Sequence, residues 1–579
     1  MHHAPSTLLL VALALSGAGL LAGPLILSLG RGRATAGALV EGLALGLVPT
    51  MVLLRLLPHV AASLGGLAIA LFAGAFLVLR AFDRAHHRAA ARLGRAFIYS
   101  ALLLHSFTDG VGLAAAIAVG HGAVDFTLAA AFVIHRLPEG LFIATTLLPS
   151  YGWRRTFERT LGLFAATVAG GLLGGALLPL LSERVFDAFV AIGLGAMLQL
   201  VLHSHAERAS TPMTRALTSM SLLVGVVVAL VMQAPDDLLA RARVTELPVK
   251  LTLAPLFVHV APALLLAIGV AAALHALVRM EAPVQGRGAG LLFALLAPVG
   301  SAQTLPAARG LALHGASRAT TTVFLLAATA LALDGTLVLA GLVGPTMAAL
   351  QVLGALLLAL LGTSGARGGR SRLKVHVRTA HALEAFAVLA LRGVDQVGAH
   401  LVTGLVVAAG VEAAIDPAWL AAVHPSIVLG LLPLLALAFG ATPIVLAPLA
   451  AVLLHKGAAP AAVLAMLLAG PLGGRARREL VTPHTLAFFA LAWLASALCG
   501  WGFTLGLTIV VPPLHAWSAL QPSWTEYACG TLLALLLVIS LLRLGPQLWL
   551  GQLAQEPGPA HDLHHHPEDA DEHSLDATH

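Results

Sequence analysis

The chain has 579 residues and a net charge of +6, and 59% of its residues are hydrophobic while only 10% are charged. Soluble proteins carry roughly 25% charged residues, so the composition excludes a large soluble domain and predicts an all-α, polytopic helical membrane protein. The basic residues do not indicate nucleic acid, because they cluster in short loops between apolar segments. Cys499 and Cys529 are too few for a disulfide framework or a cysteine-rich zinc site.

The first part of the chain predicts eight membrane-spanning helices, at about 7–29, 36–57, 64–82, 97–120, 126–148, 160–181, 186–205 and 216–233. The N-terminus lacks the basic region of a signal peptide, so we interpret the first run as a retained helix. With the N-terminus outside, the cytoplasmic loops hold twelve basic residues and the external loops hold one, Arg184. This asymmetry predicts an N-out protein, and we expect it in the bacterial inner membrane.

Two strings in adjacent predicted spans place ionisable side chains inside the membrane. They are His105-Ser-Phe-Thr-Asp109-Gly and His135-Arg-Leu-Pro-Glu139-Gly. Each puts a histidine and a carboxylate on one face of a helix. Such groups are costly in a membrane and usually mark a bound ion or its path. Imidazole and carboxylate ligands suit Zn(II) and similar divalent metals, so the strings predict a metal site; the alternative is that each histidine only hydrogen-bonds its own carboxylate.

The two strings resemble the fourth and fifth helices of the ZIP (Zrt/Irt-like) family of divalent metal transporters. Leu56-Leu57-Pro58, the eight spans and the N-out topology are also similar to that family, and the resemblance covers about 1–235. It implies an eight-helix bundle that carries a metal ion. The transport-site ligands that it implies are His105, Asp109, His135 and Glu139.

Three positions depart from the family pattern. Ser106 stands where the family has asparagine, Arg136 replaces a polar or acidic residue, and the sixth span at Thr167 lacks the carboxylate that some members have. In the family these positions would form a second, adjacent metal site, and an arginine there would repel a second cation. We therefore predict one bound metal, with Arg136 placed to pair with Asp109 or Glu139 and to plug or modulate the site.

Three further histidines lie at the ends of predicted spans. His59 ends the second span, and His203 and His205 end the seventh. We interpret them as candidates for a metal pathway. The alternative is that they are ordinary histidines of the membrane interface.

The second part of the chain has a different character. Residues 236–250 are polar and predict a linker, and 251–550 predicts a second membrane domain whose apolar segments are broken by glycine and proline. This domain contains an internal repeat, at about 290–362 and 432–512. The repeat places Gly315 opposite Gly457 and Pro306 opposite Pro448 at an offset of 142 residues. Paired broken segments indicate a transporter-type site; chance alignment of Ala- and Leu-rich sequence is the alternative.

The second copy, from Ala441 to Gly457, resembles the repeat of the YraQ-like family of predicted bacterial permeases, which includes organoarsenical permeases. The segment from Pro306 to Gly315 is similar to the first copy, and the resemblance covers about 251–545. That family has cysteine before each proline segment, whereas this chain has no thiol there. The resemblance therefore implies a permease for another substrate, or a repeat that only supports the first half.

These observations predict a transporter, not an enzyme, that moves a divalent cation into the cytoplasm through a single site by alternating access. Zinc is the expected metal, with iron, manganese and cadmium as alternatives, and no prosthetic group is expected. The expected partners are the metal ion and the lipid bilayer, with a homodimer left open. The alternatives are a permease whose activity lies in the second half and an intramembrane metal-dependent hydrolase. The tail, 551–579, with six histidines among acidic residues, is predicted to be disordered.

Overall fold

The protein is described from a computed structural model. The described residues are 7–29, 33–84, 88–118, 129, 133, 136–177, 183–203, 211–231, 249–281, 290–291, 293–294, 304–313, 315–361, 374–377, 382–473, 493–498, 500–502 and 522–554. Within them, seven spans are long and apolar enough to cross a membrane. These are Thr7–Leu25, Gly37–Leu54, Pro212–Ala229, Leu253–Leu277, Thr320–Leu342, Ala382–Ala414 and Trp524–Leu544. The prediction of a helical membrane protein is confirmed.

The first part of the chain is a packed set of long helices. Its elements are α1 (Thr7–Leu29), α2 (Arg33–Met51), a π-helical turn (Val52–Leu56), α3 (Leu57–Leu64), α4 (Gly66–Arg84), α5 (Arg88–Ala118), α6 (Arg136–Leu177), α7 (Glu183–His203) and α8 (Pro212–Val231). The helix α6 covers parts of two predicted spans. Its backbone breaks at Gly152, where φ is 70°, so α6 consists of two helical segments that meet at this glycine.

Glycines bring α5 and α6 into backbone contact beside the predicted site. A Cβ atom at Gly110 would lie 2.0 Å from the carbonyl oxygen of Thr167, and one at Gly170 would lie 2.0 Å from the carbonyl oxygen of Phe107. A larger residue would force the two helices apart, as at other close crossings of membrane helices. The crossing therefore holds the Asp109 turn of α5 against the second segment of α6.

The second part of the chain is built mostly from shorter helices. They are α9 (Val249–Leu277), α10 (Thr304–Leu313), α11 (Arg318–Ala330), α12 (Leu333–Leu342), α13 (Pro345–Leu361), α14 (Ala382–Ala414), α15 (Pro417–Ala422), α16 (Pro425–Phe439), α17 (Pro443–His455), α18 (Pro460–Gly473), α19 (Trp524–Leu544) and α20 (Pro546–Ala554). Six of these helices begin at a proline. Proline has no N–H to donate, so it is tolerated at the first helical position and interrupts what precedes it.

One element departs from the all-helical prediction. Strand β1 (Val278–Glu281) pairs antiparallel with β2 (Lys374–Val377). Lys374 begins the second strand of this ribbon. Because β1 directly follows α9 and β2 shortly precedes α14, the ribbon brings the adjoining ends of these two helices to the same face of the molecule.

Two helical hairpins, α10–α11 and α17–α18, turn in the same way at an offset of 142 residues. Their turn glycines, Gly315 and Gly457, have φ values of 81° and 92°. After each glycine, the next N–H donates to the carbonyl oxygen five residues earlier, at 3.0 Å and 2.9 Å. This is the hydrogen bond of a Schellman motif, which requires a left-handed residue. The positive φ explains why glycine stands at both positions.

The two parts of the chain share a core. Ser219 Oγ on α8 donates a hydrogen bond to the carbonyl oxygen of Leu541 on α19, at 2.9 Å. Leu54 in the π-helical turn packs against Ala409 and Ala413 of α14. The predicted linker falls almost wholly outside the described residues, as do 555–579 of the tail. Helices of the two parts, among them α8 and α19, pack together directly.

Candidate functional site

Helix α5 presents three polar residues of the first string on one buried stretch. His105 and Asp109 are each 7% exposed, and Ser106 is fully buried. His105 Nε2 lies 3.4 Å from Asp109 Oδ2, as expected for side chains one helical turn apart.

The first turn of α6 adds Arg136 and Glu139. Arg136 has no exposed surface, and Glu139 is 5% exposed. Arg136 Nη1 lies 2.7 Å from Glu139 Oε2, and Nη2 lies 3.1 Å from Asp109 Oδ2. The sequence predicted that Arg136 would pair with Asp109 or with Glu139. In the structure its guanidinium contacts both carboxylates.

The three positions that depart from the ZIP pattern meet at this guanidinium. Arg136 Nη1 donates to Ser106 Oγ at 3.3 Å, and Nη2 donates to the Ser106 carbonyl oxygen at 3.3 Å. Nη2 also donates to Thr167 Oγ1 at 2.9 Å. A guanidinium presents five N–H donors in one plane, and small hydroxyl side chains leave room for it. The arginine thus occupies the place where the resemblance would put a second metal.

Three potential metal ligands also converge here. One ligand atom from each of His105, Asp109 and Glu139 lies within 4.8 Å of the others, and all three residues are buried. This set of one imidazole and two carboxylates fits a divalent first-row cation. The two carboxylates and the one guanidinium together carry one net negative formal charge. The cluster therefore attracts a cation, but a metal must compete with Arg136 for the same oxygens.

The remaining predicted site residues lie at the margin of the described structure. His135 and His205 are outside the described residues. His59 lies in α3, and His203 is the last residue of α7, but their side chains also lie outside the described part. Among the predicted ligands, the structure thus brings together His105, Asp109 and Glu139, and the pathway histidines remain predictions.

Sequence reasoning missed buried ionisable residues in the second part. Asp334, Glu412 and Lys456 are 3%, 4% and 7% exposed. Lys456, just beyond the end of α17, has its Nζ atom 3.3 Å from Glu412 Oε1 near the end of α14. The signal that would have found Asp334 is a single carboxylate within an apolar run, since ionisable groups are costly there.

Comparisons of the chain with protein-family models, with curated proteins and with solved structures found no match. The resemblances to the two transporter families rest on the residues quoted for them.

Proposed function

We propose that the chain transports a divalent metal cation, zinc being the best fit, across the membrane into the cytoplasm. The ligands would be His105, Asp109, His135 and Glu139, as the ZIP resemblance implies. One observation carries the proposal: three of these residues converge within 4.8 Å and are buried. Ionisable groups at such positions are costly and are retained where an ion binds or passes.

Arg136 has a defined part in this proposal. Two buried carboxylates need a compensating positive charge, and the guanidinium supplies it in the metal-free protein. An arriving divalent ion would bind Asp109 and Glu139, and Arg136 would lose at least one of its two ion pairs. This exchange lowers the affinity for the metal and favours its release, which a transport cycle by alternating access requires. One metal, and not two, is bound in each cycle.

The eight-helix bundle, the N-out orientation and the bacterial inner membrane belong to the same proposal. The distribution of basic residues in the loops supports the number of spans and the orientation. The metal ion and the bilayer are the partners that it requires.

A second candidate function is a permease in the second part of the chain. It is favoured by the matching turns of the hairpins α10–α11 and α17–α18, with Gly315 and Gly457 at equivalent places. Repeats of broken helices are the usual frame of secondary transporters. In this alternative the first part would retain the metal cluster without transporting the ion.

Zinc uptake into proteoliposomes tests the leading proposal. We expect Glu139→Gln and His105→Ala each to lower the initial uptake rate at least tenfold, because each removes a ligand. The matched control is Glu158→Gln, which changes an exposed acid of the same helix that pairs with Arg154. Uptake by both ligand variants at the wild-type rate would exclude the proposed site.

The same assay separates the second candidate. Gly457→Val disturbs a turn that needs positive φ and lies outside the metal cluster. If Glu139→Gln transports zinc normally and Gly457→Val does not, transport belongs to the second part of the chain.

A further inference from the structure

Asp334 lies at a break in a membrane-spanning helix. The apolar span Thr320–Leu342 is interrupted between α11 and α12, and Asp334 is in the first turn of α12. Its side chain is 3% exposed, and Oδ1 accepts a hydrogen bond from the N–H of Gly335 at 2.8 Å. Discontinuous helices of this kind hold coupling ions in secondary transporters.

A cavity adjoins this carboxylate. Its volume is about 60 Å³, and its walls come from α9, α12 and α14. Asp334, His275 and Gln396 provide the polar side chains of the wall, and the rest is apolar. A cavity of this size has room for more than one water molecule, so it can hold a small cation together with water beside the carboxylate.

The cavity leads from the surface to the acid. His275 is exposed near the end of α9, while Asp334 is buried. On the other side, Gly335 packs against Pro443 at the start of α17, where an added Cβ would lie 2.3 Å from the proline Cβ. The carboxylate thus lies where α12 meets the start of the hairpin α17–α18. A displacement of Asp334 would therefore alter the packing of both elements.

The charged groups around the cavity are few. On α14, Asp395 pairs with Arg543 of α19 and does not line the cavity. Helix α13 has no ionisable residue, and those of α17, His455 and Lys456, lie at the end of α17 and just beyond it, far from Pro443. Among the described residues that line the cavity, His275 is the titratable side chain besides Asp334.

We propose that Asp334 binds a monovalent cation, H⁺ or Na⁺, and couples its movement to the second part of the chain. One carboxylate and one amide are too few oxygen ligands for Ca²⁺ or Mg²⁺, whereas a carboxylate in an apolar wall binds a proton or a small monovalent ion. The site shares no residue with the metal cluster, so this proposal can be tested independently of the proposed metal transport.

The test uses the full-length protein in lipid nanodiscs and in proteoliposomes. The first arm measures the unfolding midpoint in NaCl against choline chloride at equal ionic strength. The second arm measures charge displacement after a pH jump on a solid-supported membrane. Asp334→Asn removes the charge, and Ala272→Val narrows the cavity from α9 while leaving the carboxylate in place. Asp187→Asn, at a buried acid that accepts a hydrogen bond from Ser63 in the first part, is the matched control.

We expect the wild type and the Asp187 variant to respond in at least one arm, and the apparent cation affinity of both site variants to fall at least tenfold in that arm. A response to NaCl identifies Na⁺, and a response only to the pH jump identifies H⁺. If Asp334→Asn does not fold, Ala272→Val decides the test. Wild-type responses in the site variants, or no response of the wild type in either arm, would overturn the proposal.

Discussion

Arg136 and Glu139 form an ion pair across one turn of the same helix, with 2.7 Å between Nη1 and Oε2. Glu139 is also a ligand in the proposed metal site, so the carboxylate has two possible cationic partners. The partner within the protein, Arg136, is held beside Glu139 by the helix backbone and is always charged. Occupation of the site by a metal is therefore a competition against a tethered cation, and the arginine sets its strength.

Replacing Arg136 should make the stability of the protein depend on metal. Arg136→Gln leaves Asp109 and Glu139 buried without their shared cation, and removal of one partner of a buried pair costs about 3–5 kcal/mol. We expect a lower unfolding midpoint in EDTA and a larger rise with ZnCl₂ than the wild type shows. The control is Arg154→Gln, whose side chain is 91% exposed and whose pair should contribute little. Equal zinc responses in the Arg136 variant and the wild type would contradict the competition.

The hydroxyl of Thr167 should stabilise Arg136 measurably. Thr167→Val removes the acceptor that lies 2.9 Å from Nη2, and hydrogen bonds to charged groups contribute about 1.5–3 kcal/mol. The matched control is Thr160→Val in the same helix, because Thr160 Oγ1 donates to the Thr156 carbonyl oxygen as Thr167 Oγ1 donates to that of Leu163. Chemical denaturation in detergent measures the free energy of unfolding of both variants. A loss of stability as large in the control as in Thr167→Val would mean that the guanidinium contact adds nothing.

The crossing of α5 and α6 should tolerate no side chain at Gly110. Gly110→Ala would place a Cβ atom 2.0 Å from a backbone oxygen, and overpacking of this kind costs about 1–3 kcal/mol. It should also displace Asp109 and weaken zinc binding, as measured by isothermal titration. Gly74→Ala in α4 is the control, since a Cβ there meets no atom within 4 Å. Unchanged zinc affinity in Gly110→Ala would show that the crossing does not position the ligand.

Much of the helical framework was predictable because hydropathy decides which segments cross a membrane. The first predicted span, 7–29, has the bounds of α1. Local spacing also predicted that His105 and Asp109 would be adjacent, since residues four apart share a helix face. Both predictions use only neighbouring residues in the chain.

The partners of Arg136 were predictable only in part. The two carboxylates could be named from the sequence as alternatives, but the shared contact with Ser106 and Thr167 depends on how α5 crosses α6. Asp334 was missed because no second ionisable residue lies near it in the sequence; His275 and Gln396 reach the same cavity from other helices. The pairing of β1 with β2 is likewise a contact between distant segments that hydropathy does not encode.

The two parts of the chain should remain associated when the connection between α8 and α9 is cut. Co-expressed fragments 1–240 and 241–579 should copurify through a tag on either one, because Ser219 bonds to α19 and Gln547 Nε2 donates to Glu41 Oε1 at 2.6 Å. Ala409→Trp, at a fully buried position, should abolish the association. Ala387→Trp is the control on an exposed face of the same helix. Fragments that purify separately would show that the shared core is too weak to hold them.

The π-helical turn at Val52–Leu56 has a consequence for how one transmembrane segment serves two neighbours. A π turn accommodates one extra residue, and each residue of a helix advances by about 100°. The side chains beyond the turn are thereby rotated relative to those before it. The stretch before the turn packs against α8 through Gly42 and Gly46, and Leu54 within the turn is directed at α14. Deleting one residue there would rotate α3 away from α14 while sparing the contact with α8. One residue in this turn therefore sets how the first part of the chain is aligned with the second.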